Sequence, residues 1–315
     1  MFSKIKNFLI KKSRSISKID LVYEDTRSLV KVNDLKSPKI NLGQIQALLN
    51  RQRTDIKSIQ DVEFQVFSQF GDDGIIQYLI SHLEIPNKVF IEFGVENYTE
   101  ANTRFLTINN KWSGLVIDGS KQNIEYIKQD VVSWSNDLHA THAFITTENI
   151  NGIISDFLAQ GYPSEIGILS VDIDGNDYYV WKAINTVNPV IVIAEYNGLY
   201  GAEKAWTIPY QADFFRLDAD PTSTYWGASL KCLYLLAQDK GYEFVGCNSN
   251  GNNAYFIRKD KLKNLKPLTC EEGFVPAVYR EYVDKDGNRV HASKRLDLIK
   301  GMQMLNTETN QLDTI

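Results

Sequence analysis

The chain has 315 residues, of which 43% are hydrophobic, with 34 Lys and Arg against 39 Asp and Glu and a formal net charge of -5. This is enough apolar residue for one large α/β domain with extensions, and the acid excess argues against a nucleic-acid partner, whose phosphates demand a clustered basic face. Cys232, Cys247 and Cys270 are odd in number and lack C-x-x-C spacing, which points away from a disulfide framework or a zinc site and fits a reducing cytoplasm.

Residues 1–61 read as a helical extension. The opening "MFSKIKNFLIKKSRS" is basic, and its apolar run is too short for a signal sequence or a membrane span. Lys4, Lys6, Lys11, Lys12 and Arg14 leave two readings open, peripheral contact with an anionic membrane or a solvated amphipathic helix. "NLGQIQALLNRQ" is a short helix. From residue 62 to 260 the pattern becomes regular. "SQFGDDGIIQYLISHL" is a helix with Asp72 or Asp73 as its cap or first-turn acid.

Five apolar runs follow, "KVFIEFG", "SGLVIDG", "THAFITT", "IGILSVDIDG" and "PVIVIAEYN", separated by segments of helical period. Short all-apolar strands alternating with helices predict a doubly wound parallel sheet buried on both faces. Residues 198–227 are rich in aromatics and turn formers without a period, as expected of a lid or substrate loop. Tyr196, Tyr200, Trp206, Tyr210, Tyr225 and Trp226 could stack on sugars or pack the lid. Then come the helix "ASLKCLYLLAQDKGY" and a hairpin of "EFVGCN" and "GNNAYFIRK" joined by "SNGN". Residues 261–315 form a polar tail, with a turn at "DKDGNR" and a short helix at "LDLIKGMQML".

In such a sheet, ligands bind beyond the carboxyl ends of the strands, where strand order reverses. The turn after the first strand carries Glu92 and Glu96 around a single Gly94, which suits neither a pyrophosphate nor a P-loop. A cofactor bearing an ammonium and a sulfonium suits it well, and S-adenosylmethionine is such a molecule. Asp118 closes the second strand 24 residues after Gly94, where an acid accepts ribose hydroxyls. Glu92 has an alternative role, binding a helix N-terminus. Gln69 or Asp73 could reach the methionine end from the preceding helix, with capping as the alternative for Asp73. Asn102, Gly119 and Ser120, at the same two turns, complete the expected cofactor set.

Asp172 ends the fourth strand, with Asp174 and Asp177 just beyond, and Glu195 and Asn197 end the fifth. Adjacent strand ends bring these oxygens together, a donor set suited to Mg²⁺ or Mn²⁺ that would acidify a substrate hydroxyl. An EF-hand is excluded, because Ala183 stands where its glutamate would be. The four histidines fall in no metal or nucleophile pattern; His142 reads as a core residue of the third strand.

The segments "SQFGDDGII", "FIEFGVENYTEANTRFL", "WSGLVIDGS", "ILSVDIDGNDYYVWKAI", "IVIAEYN", "YWGASLKCLYLLAQDKGYEFVGCN" and "GNNAYFIRKD" resemble FkbM-type S-adenosylmethionine-dependent methyltransferases over residues 68–260. The resemblance implies a Rossmann-like, seven-stranded, mostly parallel sheet and O-methylation of a sugar hydroxyl in polysaccharide or glycoconjugate biosynthesis. Metal-free N- or carboxyl-methylation and a non-catalytic scaffold are the alternatives. Similarity to metal-dependent O-methyltransferases supports Asp172 and Glu195 as ligands. Those enzymes tend to carry a Lys or His three residues after the first ligand, and Gly175 stands there instead, leaving Asp174 or Asp177 as general base. The expected partner is a small molecule or glycan; a homo-oligomer is left open.

Overall fold

The computed structural model describes residues 37–278, 281–283, 288–291 and 294–315. The basic opening with Lys4 to Arg14, and most of the turn expected at 284–289, lie outside the described residues. Helix α1 (Pro38–Gln52) starts at Ser37, whose hydroxyl accepts the Lys39 amide at 3.2 Å, with Pro38 where no amide donor is needed. It packs on α2 (Asp72–His82) and α3 (Arg104–Asn110), so the end of the expected extension is built into the domain.

The strands are β1 (Val89–Phe93), β2 (Ser113–Asp118), β3 (Leu138–His142), β4 (Ile168–Val171), β5 (Ile191–Glu195), β6 (Trp206–Thr207), β7 (Tyr242–Cys247) and β8 (Asn253–Arg258). Interleaved with them are α4 (Lys121–Gln129), α5 (Val131–Ser135), α6 (Ile150–Leu158), α7 (Asp177–Ala183), α8 (Arg216–Ala219) and α9 (Leu230–Asp239). After them come α10 (Cys270–Gly273), β9 (Glu281–Val283), β10 (Arg289–His291), α11 (Arg295–Leu298), β11 (Gln303–Asn306) and β12 (Gln311–Thr314).

Seven strands form one sheet in the order β3-β2-β1-β4-β5-β8-β7, with β8 antiparallel to both neighbours. This is the expected doubly wound, mostly parallel Rossmann-like sheet. Every residue of β1 and β5 is buried, because both faces are covered: Ile91 and Phe93 point into one core, Phe90 into the other. Strand order reverses between β1 and β4, which sets a crevice at their carboxyl ends.

Three expectations are corrected. The third strand runs Leu138–His142 rather than 141–147, because Ala143, Phe144 and Ile145 are apolar for another reason, lining the crevice. His142 is consequently not a core residue: it is exposed, with Nε2 3.0 Å from the Gly119 carbonyl. The helix expected over 296–305 stops at Leu298; Gly301, at φ +91°, turns the chain, and Gln303–Asn306 becomes a strand pairing with β12 and with β6 at the base of the lid loop.

No helix among the described residues is long and apolar enough to cross a membrane. The three cysteines are free and buried.

Candidate functional site

Two cavities meet at the switch point. The larger, about 420 Å³, is walled by Ile117, Ala143, Phe144, Ile145, Phe214 and Phe215, with Asp118, Gly119 and Ser120 at its rim. The smaller, about 260 Å³, is polar and lined by Gln69, Asp72, Glu92, Glu100, Asn102, Glu195, Asn252 and Asn253. Gly94, Glu96, Asp172, Asp174 and Arg216 border both. A further hollow beside β3 and α6, next to the exposed Trp134, contains none of the expected site residues.

Gly94 makes the junction. Its φ is +65°, and a Cβ there would lie 1.7 Å from the Asp172 carbonyl oxygen, so the turn after β1 lies directly on the end of β4. Only glycine permits both the dihedral and the approach. Glu96 follows at φ +47°, exposed and facing both cavities.

Glu92 is buried beneath this turn and supports α3. Oε1 accepts the Asn102 amide at 2.9 Å, while Oε2 accepts the Thr103 amide at 3.1 Å and the Thr103 hydroxyl. Burial lifts its pKa to about 7 despite those donors. The helix-binding alternative is therefore realised, although the side chain also borders the polar cavity. Asn102 is held by this bond and reaches Ser170 Oγ through Nδ2 at 3.3 Å.

Asp118 uses one oxygen locally: Oδ1 accepts the Ser120 amide at 2.8 Å and Asn123 Nδ2 at 3.0 Å. Among the described residues no hydrogen bond reaches Oδ2, and Asp118 borders the apolar-walled cavity. Ser120 Oγ caps α4 by accepting the Asn123 amide at 3.3 Å.

At the other strand ends, oxygens of Asp172, Asp174 and Glu195 lie within 4.8 Å of one another. Burial and then neighbouring carboxylates push Asp172 and Glu195 well above the ordinary range, because carboxyls this close disfavour each other's charge. Glu195 Oε2 is buried without a hydrogen-bond partner, an omission costing about 1–3 kcal/mol when nothing fills it. Asp174 sits at φ +56° and pairs with Arg216 of the lid; burial outweighs that cation and leaves its pKa raised.

Three expected site residues are engaged elsewhere. Asp73 Oδ2 accepts the Val66, Phe67 and Ser68 amides at 2.7 to 2.9 Å, fixing the loop before α2, and the residue does not line the cavity. Its neighbour Asp72 does. Asp177 accepts the Ile173 and Gly175 amides at 2.8 and 2.9 Å and holds the β4–α7 turn, with burial raising it to about 6. Asn197 donates to the Thr224 and Trp226 carbonyls at 3.1 and 3.2 Å and accepts the Leu199 amide at 3.2 Å; it fastens the lid and lies outside both cavities. Loop amides bend toward the nearest acceptor, and these three side chains are that acceptor.

The aromatics expected to stack on a substrate pack instead, and the lid lines the larger cavity with Phe214 and Phe215. Tyr196, Tyr200, Trp206, Tyr225 and Trp226 are all buried, and Tyr210 OH donates to Glu148 at 2.6 Å. Arg216, Asn252, Asn253 and Glu100 are cavity-lining residues that strand-end spacing does not disclose, since they come from the aperiodic lid, the β7–β8 hairpin and the turn before α3.

No family model matches the chain, and no curated protein matches it. Among solved structures, the N-terminal domain of EvdMO1 with SAH bound is similar at 12% identity over 68% of this chain and 94% of that one, with a TM-score of 0.39. The O-methyltransferase from Bacillus cereus in complex with SAH gives 11% identity, 72% and 95% coverage and 0.37. A SAM-dependent methyltransferase from Aquifex aeolicus gives 10%, 63% and 96%, and 0.36. Overlaps this loose assign neither cofactor nor reaction to this chain.

Proposed function

We propose that the chain is an S-adenosylmethionine-dependent O-methyltransferase of the FkbM type, acting on a sugar hydroxyl with help from a divalent cation. The observation that carries this reading is the continuity of the two cavities past Gly94, apolar with one free carboxylate oxygen on one side and rich in carboxylates on the other. Adenine suits the Phe144, Ile145 and Phe214 walls, and a ribose hydroxyl suits Asp118 Oδ2. The methionine end falls among Gln69, Asn102, Glu96 and Glu100, with Glu92 acting through the turn it supports. The residues fit the cofactor, which when bound supplies an electrophilic methyl group on a sulfonium.

Eight of the nine charged side chains lining the joined cavities are acids, Arg216 being the exception. Such a lining attracts a cationic cofactor and disfavours a diphosphate acceptor, which supports a glycan-linked sugar over a nucleotide-activated one. Asp172 and Glu195 fit a hard cation, which when bound would acidify a hydroxyl. The commitment of Asp177 to its turn leaves Asp174 as the general base of this reading, with its contact with Arg216 fixing the carboxylate's direction.

Calorimetry with S-adenosylhomocysteine tests the cofactor. Binding is expected, weakened about 10- to 150-fold in Asp118→Ala, the equivalent of about 1.5–3 kcal/mol for hydrogen bonds to a charged group. Absence of binding at millimolar ligand would remove the proposal. Methyl transfer to a panel of neutral glycosides should stop in excess EDTA and resume with Mg²⁺ or Mn²⁺.

A further inference from the structure

Asn253 opens β8 directly opposite Glu195 in the antiparallel register of β5 and β8, so the two side chains share one face of the sheet. They are 4% and 8% exposed and border the same polar cavity. The orientation of the Asn253 amide is fixed from behind: Nδ2 donates to Asp72 Oδ1 at 3.0 Å, and Asp72 also accepts Tyr255 OH at 2.5 Å and Asn248 Nδ2 at 3.2 Å. Nδ2 is thus engaged by an acid that accepts from three donors, which leaves Oδ1 as the unengaged atom of the amide. That oxygen has no hydrogen-bond partner, and neither does Glu195 Oε2.

Resting on the metal-assisted reading above, we propose that Asn253 Oδ1 is a ligand of the divalent cation bound by Asp172 and Glu195. It takes the part that the sequence offers to Asn197, whose amide is spent on the lid. Two buried acceptors without donors on paired positions, beside a carboxyl pair in need of a counter-charge, are what a hard cation resolves. The donor set is all oxygen, which favours Mg²⁺ or Mn²⁺ over Zn²⁺.

Mn²⁺ titration of the full chain, followed by electron paramagnetic resonance with and without S-adenosylhomocysteine and with no acceptor present, separates this proposal from the methyl-transfer reading. Wild type should bind Mn²⁺, and Asn253→Ala should weaken it at least 10-fold while keeping its affinity for S-adenosylhomocysteine. Asn253→Asp loses the donor to Asp72 but keeps an oxygen toward the cavity, so it should retain Mn²⁺. A purely structural role, which needs Nδ2, predicts that Asp fails as badly as Ala. Equal Mn²⁺ affinity in wild type and Asn253→Ala overturns the assignment, as does a wild type that binds S-adenosylhomocysteine but no Mn²⁺. Loss of S-adenosylhomocysteine binding alone, with Mn²⁺ retained, overturns the cofactor and leaves the ligand in place.

Discussion

Glu92 and Glu195 lie at the carboxyl ends of parallel strands on either side of β4, both buried and both raised by that burial, yet their surroundings differ. Around Glu92 the chain supplies two amides and a hydroxyl, so the carboxylate is an internal part of the scaffold. Around Glu195 it supplies another carboxylate and leaves one oxygen bare. Burial alone does not separate the two acids; the supply of donors around them does. Both oxygens of Glu92 are spent on the chain, whereas Glu195 lies among other carboxyls with one oxygen unpartnered.

The harshest way to break the contrast is at the point where the two ends touch. Gly94→Ala places a methyl group 1.7 Å from the Asp172 carbonyl in a backbone region alanine avoids. We expect a loss of more than about 3 kcal/mol by thermal or urea unfolding, together with loss of binding at both cavities, since local overpacking and φ strain add.

A milder pair of substitutions sharpens it. Glu92→Gln turns an amide donor toward donors and should cost about 2–3 kcal/mol of stability. Glu195→Gln relieves the crowding of carboxyls at the strand ends, so stability should hold or rise while Mn²⁺ affinity falls by about 100-fold or more. Equal destabilisation by the two in chemical unfolding would erase the distinction.

The smallest effect is in pH. Burial holds Asp73 and Asp177 at about 6 and Glu92 at about 7, against about 4 in the unfolded chain. The folded protein therefore binds these protons more tightly, and their contribution, complete below about pH 4, is lost as pH rises through 6 and 7. Melting temperature should fall between pH 5 and 8 by scanning fluorimetry, with a shallower slope in Glu92→Gln. A melting temperature that rises over that interval would show that the donors outweigh burial.

Much of this was legible in the residue order. Strand alternation with helices gave the sheet, and acids at predicted strand ends gave Asp118, Asp172 and Glu195, because a strand end is a position sequence can locate. Which acids stay available was not legible. Asp73, Asp177 and Asn197 stand as close to strand and helix ends as the others, and their capture depends on where loop amides point, set by turns such as that at Asp174. Asn253 was hidden for the converse reason, since its part depends on an antiparallel partner 58 positions earlier in the chain. Arg216 came from the segment without a period, and "THAFITT" misplaced the third strand because a cavity wall and a buried strand demand the same apolar residues.

The lid is secured from far downstream. Strand β6, at its base, pairs with β11 about 100 residues later, Trp206 Nε1 donates to Asp313 at 2.6 Å and Tyr225 OH to the Gln303 carbonyl at 2.5 Å. On the ribosome this imposes an order of assembly. All seven strands of the main sheet are synthesised before residues 303–314, so the nascent chain passes through an interval in which the sheet is complete and the lid is held only by nearer contacts such as those of Asn197. Proteolytic trimming of those strands would return the finished protein to the same condition, a folded domain whose cover has lost its downstream fastening.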